Sequence, residues 1–236
     1  MPAPADPVDP SVSPSRRDKR ALILEAAIRV FARNGYHGSR IADIAGEAGI
    51  AYGLVYHYFK NKEEILSSIF EERWGAFLDT LEHIAGQPAS AREKLDQVAT
   101  VILGGHHVRP EWVKVLVLEI QRSSRFARPD QIRAVGRLFQ IVARILREGQ
   151  EKGELRVDVD PDVACYVFIG ALEIVITGVV LKVIQPEAGA AGAPTELPGP
   201  EERRDGERRD GAYYERVGRT VVDIFLNGVT RSGGTG

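Results

Sequence analysis

The chain has 236 residues, 44% of them apolar, and a formal net charge of −2. That length suits one small module plus a larger domain, and that apolar fraction excludes a disordered polypeptide. A single cysteine, Cys165, rules out an intrachain disulfide and fits a reducing, cytoplasmic setting.

Charge is unevenly spread. Between Arg16 and Lys62 nine Lys/Arg stand against four Asp/Glu, so the rest of the chain is acidic. A local basic excess points to an anion-facing surface, although many such clusters are solvated faces. Residues 1–15 are rich in Pro, Ser and Asp and read as a disordered arm, not an export signal.

From Arg16 the pattern turns helical. Ile23, Ala27, Val30 and Phe31 recur on one face, and Asn34-Gly35 stops the run. Ser39 is placed to N-cap a second, short helix carrying Ile41, Ile44, Ala45 and Ala48. Gly49 follows where a tight turn needs positive φ. A third helix is expected from about Tyr52 to Tyr58. Asn61 and Glu64 have capping-box spacing for a fourth, which turns Ile65, Leu66, Ile69, Phe70, Phe77 and Leu81 to a core. Two short helices around a glycine turn form a helix-turn-helix, whose second helix enters the major groove. That helix displays Tyr52, Gly53, Tyr56 and His57, residues suited to sugars, phosphates and base edges. Lys60 and Lys62 lie just beyond, placed for phosphate. Phe59, and part of Tyr58, belong to the core.

Further helices are expected at about 90–104, 110–124, 130–152, 160–184 and 212–229, each bordered by Gly or Pro. The run Val163 to Ile184 is long enough to span a bilayer, but Glu173 and Lys182 interrupt it, and it reads as a buried helix with no membrane role. Residues 186–211, including EERRDGERRDG, read as a flexible, solvated loop.

The segments ILEAAIRVFARNGYHGSRIADIA and IADIAGEAGIAYGLVYHYFKNKEEIL resemble the DNA-binding domain of the tetracycline-repressor (TetR) family. One departure is Ala51-Tyr52-Gly53, where that family often has Ser, a variable residue and Gly or Ala. The bulk of Tyr52 makes operator choice depend on it. The resemblance implies an all-α protein of about nine helices, with a three-helix DNA-binding domain at 16–77 and a ligand-binding and dimerisation domain at 78–232. It also implies a repressor that binds double-stranded, palindromic operators as a homodimer and answers to a small-molecule effector. Carried over by position, Ser39, Arg40 and Lys62 become phosphate contacts, and Tyr52, Gly53, Leu54, Tyr56 and His57 face the groove.

The helices near 160–184 and 212–229 are broadly apolar, through Val163, Val167 and Phe168 in one and Val217, Val221 and Phe225 in the other. Two copies of this pair form a natural two-fold four-helix interface. A pocket is expected between the fourth helix and residues 90–152, lined from among Trp112, Leu116, Ile120, Phe126, Leu138, Phe139, Ile145 and Phe168. The segment VKVLVLEIQRSSRFARPDQIR, with EIVITGVVLK, resembles TetR-type fatty-acid-degradation regulators. This implies a long-chain acyl-CoA ligand and gives Arg109, Arg122, Arg125, Arg128 and Arg133 a role against its phosphates. The rival within the family is a drug-responsive efflux regulator. Outside it stand an adaptor without DNA binding and an enzyme. Against the enzyme, His106 and His107 diverge on a helix, Cys165 sits in an apolar run, and no nucleophile–base spacing or phosphate-cradling loop is present. No metal or cofactor is expected.

Overall fold

The computed structural model describes residues 16–120, 129–184 and 200–229, and among them regular structure is entirely helical. The chain divides into two compact units, with the division between Ile69 and Phe70. That point is eight residues before the boundary expected at 77, inside a continuous helix.

The first unit contains α1 (Arg16–Gly38), α2 (Ile41–Glu47), α3 (Tyr52–Val55) and the start of α4 (Lys62–Ala85). The apolar face of α1 is sealed: Ile23, Ala27, Val30 and Phe31 are all buried. Gly35 breaks its helical geometry at φ 71°, as the Asn34-Gly35 stop predicts. Ile44 of α2, Val55 of α3, Phe59, and Ile65 and Ile69 of α4 complete the small core. Gly49, at φ 65°, makes the turn between α2 and α3 in a conformation that strains residues with a Cβ. Outside the core, Glu47 accepts from Arg29 Nε at 2.6 Å and Arg33 Nη2 at 2.9 Å, tying α2 to α1.

The second unit holds the rest of α4, then α5 (Ala91–Val108), α6 (Pro110–Val115) running into a π-helical turn (Leu116–Ile120), α7 (Pro129–Glu151), α8 (Pro161–Val180) and α9 (Pro200–Val229). Ser90 caps α5, accepting from the Glu93 N–H at 3.2 Å while Glu93 Oε2 takes the Ser90 N–H. Asp160 caps α8 by accepting from Asp162 N, and Pro161 occupies the first helical position. Leu81, Leu95, Leu103, Val142, Phe168 and Leu172 are fully enclosed at the centre.

Among the helix boundaries that differ from the sequence expectation, two lie in α5 and α9. The fifth helix passes through Gly104-Gly105 to Val108. Each glycine costs about 1 kcal/mol against alanine in a helix. Burial of Leu103 and a bond at 2.7 Å between His106 Nδ1 and Tyr214 Oη of α9 hold that last turn in place. The second difference concerns the loop expected over 186–211: α9 already begins at Pro200, so EERRDGERRDG is helical. Its sequence sets Arg203 four residues before Glu207 and Asp205 four before Arg209, spacing that supports a helix. Residues 1–15 and 185–199 lie outside the described residues.

α8 is long and apolar enough to cross a membrane by length and composition. One side of it, with Ala164, Phe168, Leu172 and Ile176, is packed in the protein core. Val163, Val167 and Ile174 on the other side are 58%, 60% and 67% exposed. Cys165 is buried, donates weakly to Asp162 O, and has its thiol pushed up by burial, which disfavours the thiolate.

Candidate nucleic-acid interface

The recognition element is shorter than the sequence pattern predicts. Helical geometry ends at Val55, and residues 56–58 continue as a tight turn in which His57 N and Tyr58 N donate three residues back. Val55 N-terminal to that turn, and Phe59 after it, are drawn into the core. Arg20 of α1 places its guanidinium 5.2 Å from the Phe59 ring centroid. The inward anchors fix the outward face: Tyr52, Gly53, Tyr56, His57 and Lys60 are exposed, while Leu54 and Tyr58 are half-buried.

On that face Tyr52 and Tyr56 act as a pair. Their rings meet edge to face at 5.3 Å, and their hydroxyls lie 3.0 Å apart. The bond to Tyr52 raises the Tyr56 phenol above its ordinary value. It therefore remains a neutral hydrogen-bonding group at physiological pH. Gly53 has open space above it, which lets a partner come close to the backbone. Beyond the turn, Asn61 Oδ1 accepts from Glu64 N at 2.8 Å and Glu64 takes the Lys60 N–H, capping α4.

Two assignments to phosphate change. Ser39 is 2% exposed, and its hydroxyl donates to Gly35 O at 2.6 Å, so it locks the α1–α2 turn and has no surface for phosphate. It is not the N-cap either: Arg40 takes that place, its N–H bonded to Asp43 Oδ2 at 2.7 Å. Lys62 is also committed internally. Its ammonium donates to Tyr36 O and to Ser39 O (2.7 Å) and lies 4.4 Å from the Tyr36 ring centroid. A lysine satisfying two carbonyls at the end of α1 is a strut between α4 and the α1–α2 turn, a role sequence spacing alone does not reveal. Arg40 and Lys60 remain on the exposed face.

In the second unit, Trp112 and Leu116 are half-buried, one turn apart. Phe139 is half-buried and meets Tyr166 at 5.0 Å. Phe168 departs from its expected place in a pocket wall: it has no accessible surface and packs on Phe225 of α9 at 5.1 Å, so it is core. Leu138 and Ile145 are buried in the same core. Arg109 and Arg133 are exposed. Arg122, Arg125, Phe126 and Arg128, with the side chain of Ile120, lie outside the described residues. One residue that the pocket expectation omits is Gln131 at the start of α7, which is buried with a carbonyl that has no hydrogen-bond partner among the described residues. Its signal in the sequence is a glutamine seven residues before Leu138 and fourteen before Ile145, in line with an apolar stripe.

Residues 23–69 match the family described as bacterial regulatory proteins, tetR family, and residues 70–187 match the YsiA-like protein, C-terminal region. The chain is 34% identical over 166 residues to the fatty acid metabolism regulator protein of Bacillus subtilis, covering 69% of this chain and 84% of that protein. It is 28% identical over 233 residues to the transcriptional repressor KstR2 of Mycolicibacterium smegmatis, covering 97% of both. Among solved structures it is similar to the transcriptional regulator FadR of Bacillus subtilis in complex with stearoyl-CoA, with a TM-score of 0.69, 28% identity, and coverage of 88% of this chain and 98% of that one. These relatives are regulators and not enzymes. The chain belongs to the TetR family of transcriptional regulators.

Proposed function

We propose that this regulator is a homodimeric repressor of a palindromic operator, and that a long-chain acyl-CoA releases it from DNA. The observation that carries the ligand is the likeness to the FadR structure holding stearoyl-CoA, joined to 34% identity with a fatty acid metabolism regulator. In this reading the N-terminal unit reads DNA through Tyr52, Gly53, Leu54, Tyr56 and His57, with Arg40 and Lys60 on phosphate. The C-terminal unit holds the effector near Trp112 and Leu116 and forms the dimer.

The dimer follows from exposed apolar surface. Val163, Val167 and Ile174 run along one side of α8, and Ile224 of α9 is 70% exposed. Covering such a surface with its own copy is the usual route to a two-fold interface. Two half-sites on one face of DNA then require recognition helices roughly 34–36 Å apart. A ligand that favours a dimer of another spacing weakens DNA binding by linkage.

The lever in this reading is α4, which has residues in both units. Within the C-terminal unit it is linked to α7 at two places. Trp74 Nε1 donates to Ala134 O at 2.9 Å, and Glu82 pairs with Arg144 at 2.5 Å. At the end of the helix, buried Lys94 bridges Ala85 O (2.7 Å) and Glu148 (2.8 Å). In this reading a shift of α7 is passed to α4 through these contacts.

The test is fluorescence anisotropy of the purified protein on DNA from its own upstream region, titrated with acyl-CoA at fixed salt, because phosphate contacts make affinity salt-dependent. Tight binding abolished by acyl-CoA supports the whole reading. Tight binding indifferent to acyl-CoA keeps the repressor and removes the ligand.

A further inference from the structure

The buried stripe of α7 repeats every seven residues through Gln131, Leu138 and Ile145, and all three are buried. At the first position a glutamine stands where the stripe calls for an aliphatic side chain. Gln131 is 6% exposed, and its Oε1 is the buried side-chain N or O atom without a hydrogen-bond partner among the described residues. A buried carbonyl with no donor carries its full desolvation penalty, and folded proteins rarely leave one unmet without a use.

The surroundings point to that use. Ala134, three residues on, shares the side of α7 that Gln131 occupies. Its carbonyl already takes the Trp74 N–H, so that indole cannot serve Gln131. Trp74 stacks on Phe70 at 5.5 Å and meets Phe77 at 5.1 Å, so an aromatic cluster on α4 reaches α7 at Ala134. An aromatic cluster with one unspent acceptor suits a largely apolar ligand carrying one well-placed donor.

We propose that Gln131 Oε1 is the hydrogen-bond acceptor of the effector site, taking an N–H or O–H from a largely apolar ligand. This rests on reading the C-terminal unit as an effector domain. Two sources carry that chemistry: an amide N–H in the pantetheine arm of an acyl-CoA, and a hydroxyl on an apolar molecule. An ionised fatty acid has neither, being acceptor-only. Through Oε1, Gln131 favours either donor-bearing ligand over an acceptor-only one.

The experiment follows the fluorescence of the two tryptophans while myristoyl-CoA, myristate or 1-tetradecanol is added to wild type, Gln131→Leu and Gln131→Met, and records the Tm of each ligand-free protein. We expect wild type to prefer the thioester or the alcohol over the acid. Both variants should bind the preferred probe about tenfold more weakly, with a ligand-free Tm equal to or above wild type because the orphaned carbonyl is gone. Preference for 1-tetradecanol alone keeps the role of Gln131 and removes the acyl-CoA reading. Preference for myristoyl-CoA with unchanged affinity in both variants does the reverse. A lowered ligand-free Tm in both variants makes Gln131 a structural residue and overturns the proposal, as does wild type that binds none of the three probes.

Discussion

The hydroxyls of Tyr52 and Tyr56 lie 3.0 Å apart across one helical turn, on the exposed side of the recognition element. Each ring holds the other, so removing one changes what its neighbour presents. Tyr56→Phe is expected to weaken binding to the preferred operator about five- to tenfold, as loss of one hydrogen bond in the groove should. Tyr52→Ala should instead change which half-site is preferred, measured by selection from a randomised library. Since the bond to Tyr52 raises the Tyr56 phenol, wild-type affinity should stay flat from pH 7 to 9.

Arg40 and Lys62 should separate in their salt dependence. Arg40→Ala frees one phosphate per protomer from its guanidinium, and the slope of log affinity against log salt should fall by about 0.9 for each phosphate no longer neutralised. Lys62→Met should leave that slope unchanged. It strips a donor from Tyr36 O and Ser39 O, so the N-terminal unit should lose about 1–3 kcal/mol in denaturant unfolding.

Glu47 sets part of the acid limit. The Arg29 guanidinium, and then that of Arg33, hold its carboxyl below the ordinary value. A carboxylate with a depressed folded value contributes stability that is present above its unfolded value and is lost as pH falls through the folded one. Thermal unfolding between pH 6 and 3 should show wild type losing Tm faster than Glu47→Gln, with the two curves converging at the acid end.

Ile174→Glu should give a monomer. Ile174 is 67% exposed, so the charge costs the isolated chain little, but it cannot be buried against a second copy. Sedimentation should show half the wild-type mass with an unchanged helical spectrum. Operator affinity should drop toward that of a single half-site. A dimer that persists in this variant would move the interface off α8.

Much of the N-terminal unit was legible because its signals are local. The stop at Gly35, the positive φ of Gly49 and the Asn61 cap each depend on a few neighbouring residues. The roles of Ser39 and Lys62 were not legible. A serine before a short helix looks like a cap, and a lysine after a recognition helix looks like a phosphate contact. Ser39 bonds the Gly35 carbonyl one turn back instead of capping forward, and only the packing of α4 on the α1–α2 turn brings Tyr36 O and Ser39 O within reach of Lys62. The start of α9 was missed for a related reason: a polar, glycine-bearing run has weak local preference.

The sequence by itself determined the helical class, the turn geometry and the outward face of the recognition element, because periodicity and glycine conformation act over one or two turns. Only the tertiary structure decided which polar side chains are spent inside the protein. Lys62 is satisfied by carbonyls 26 and 23 residues earlier that folding delivers, whereas Gln131 is enclosed without a donor among the described residues. Hydrogen-bond satisfaction depends on groups distant in the chain, and no spacing rule along a single helix contains it.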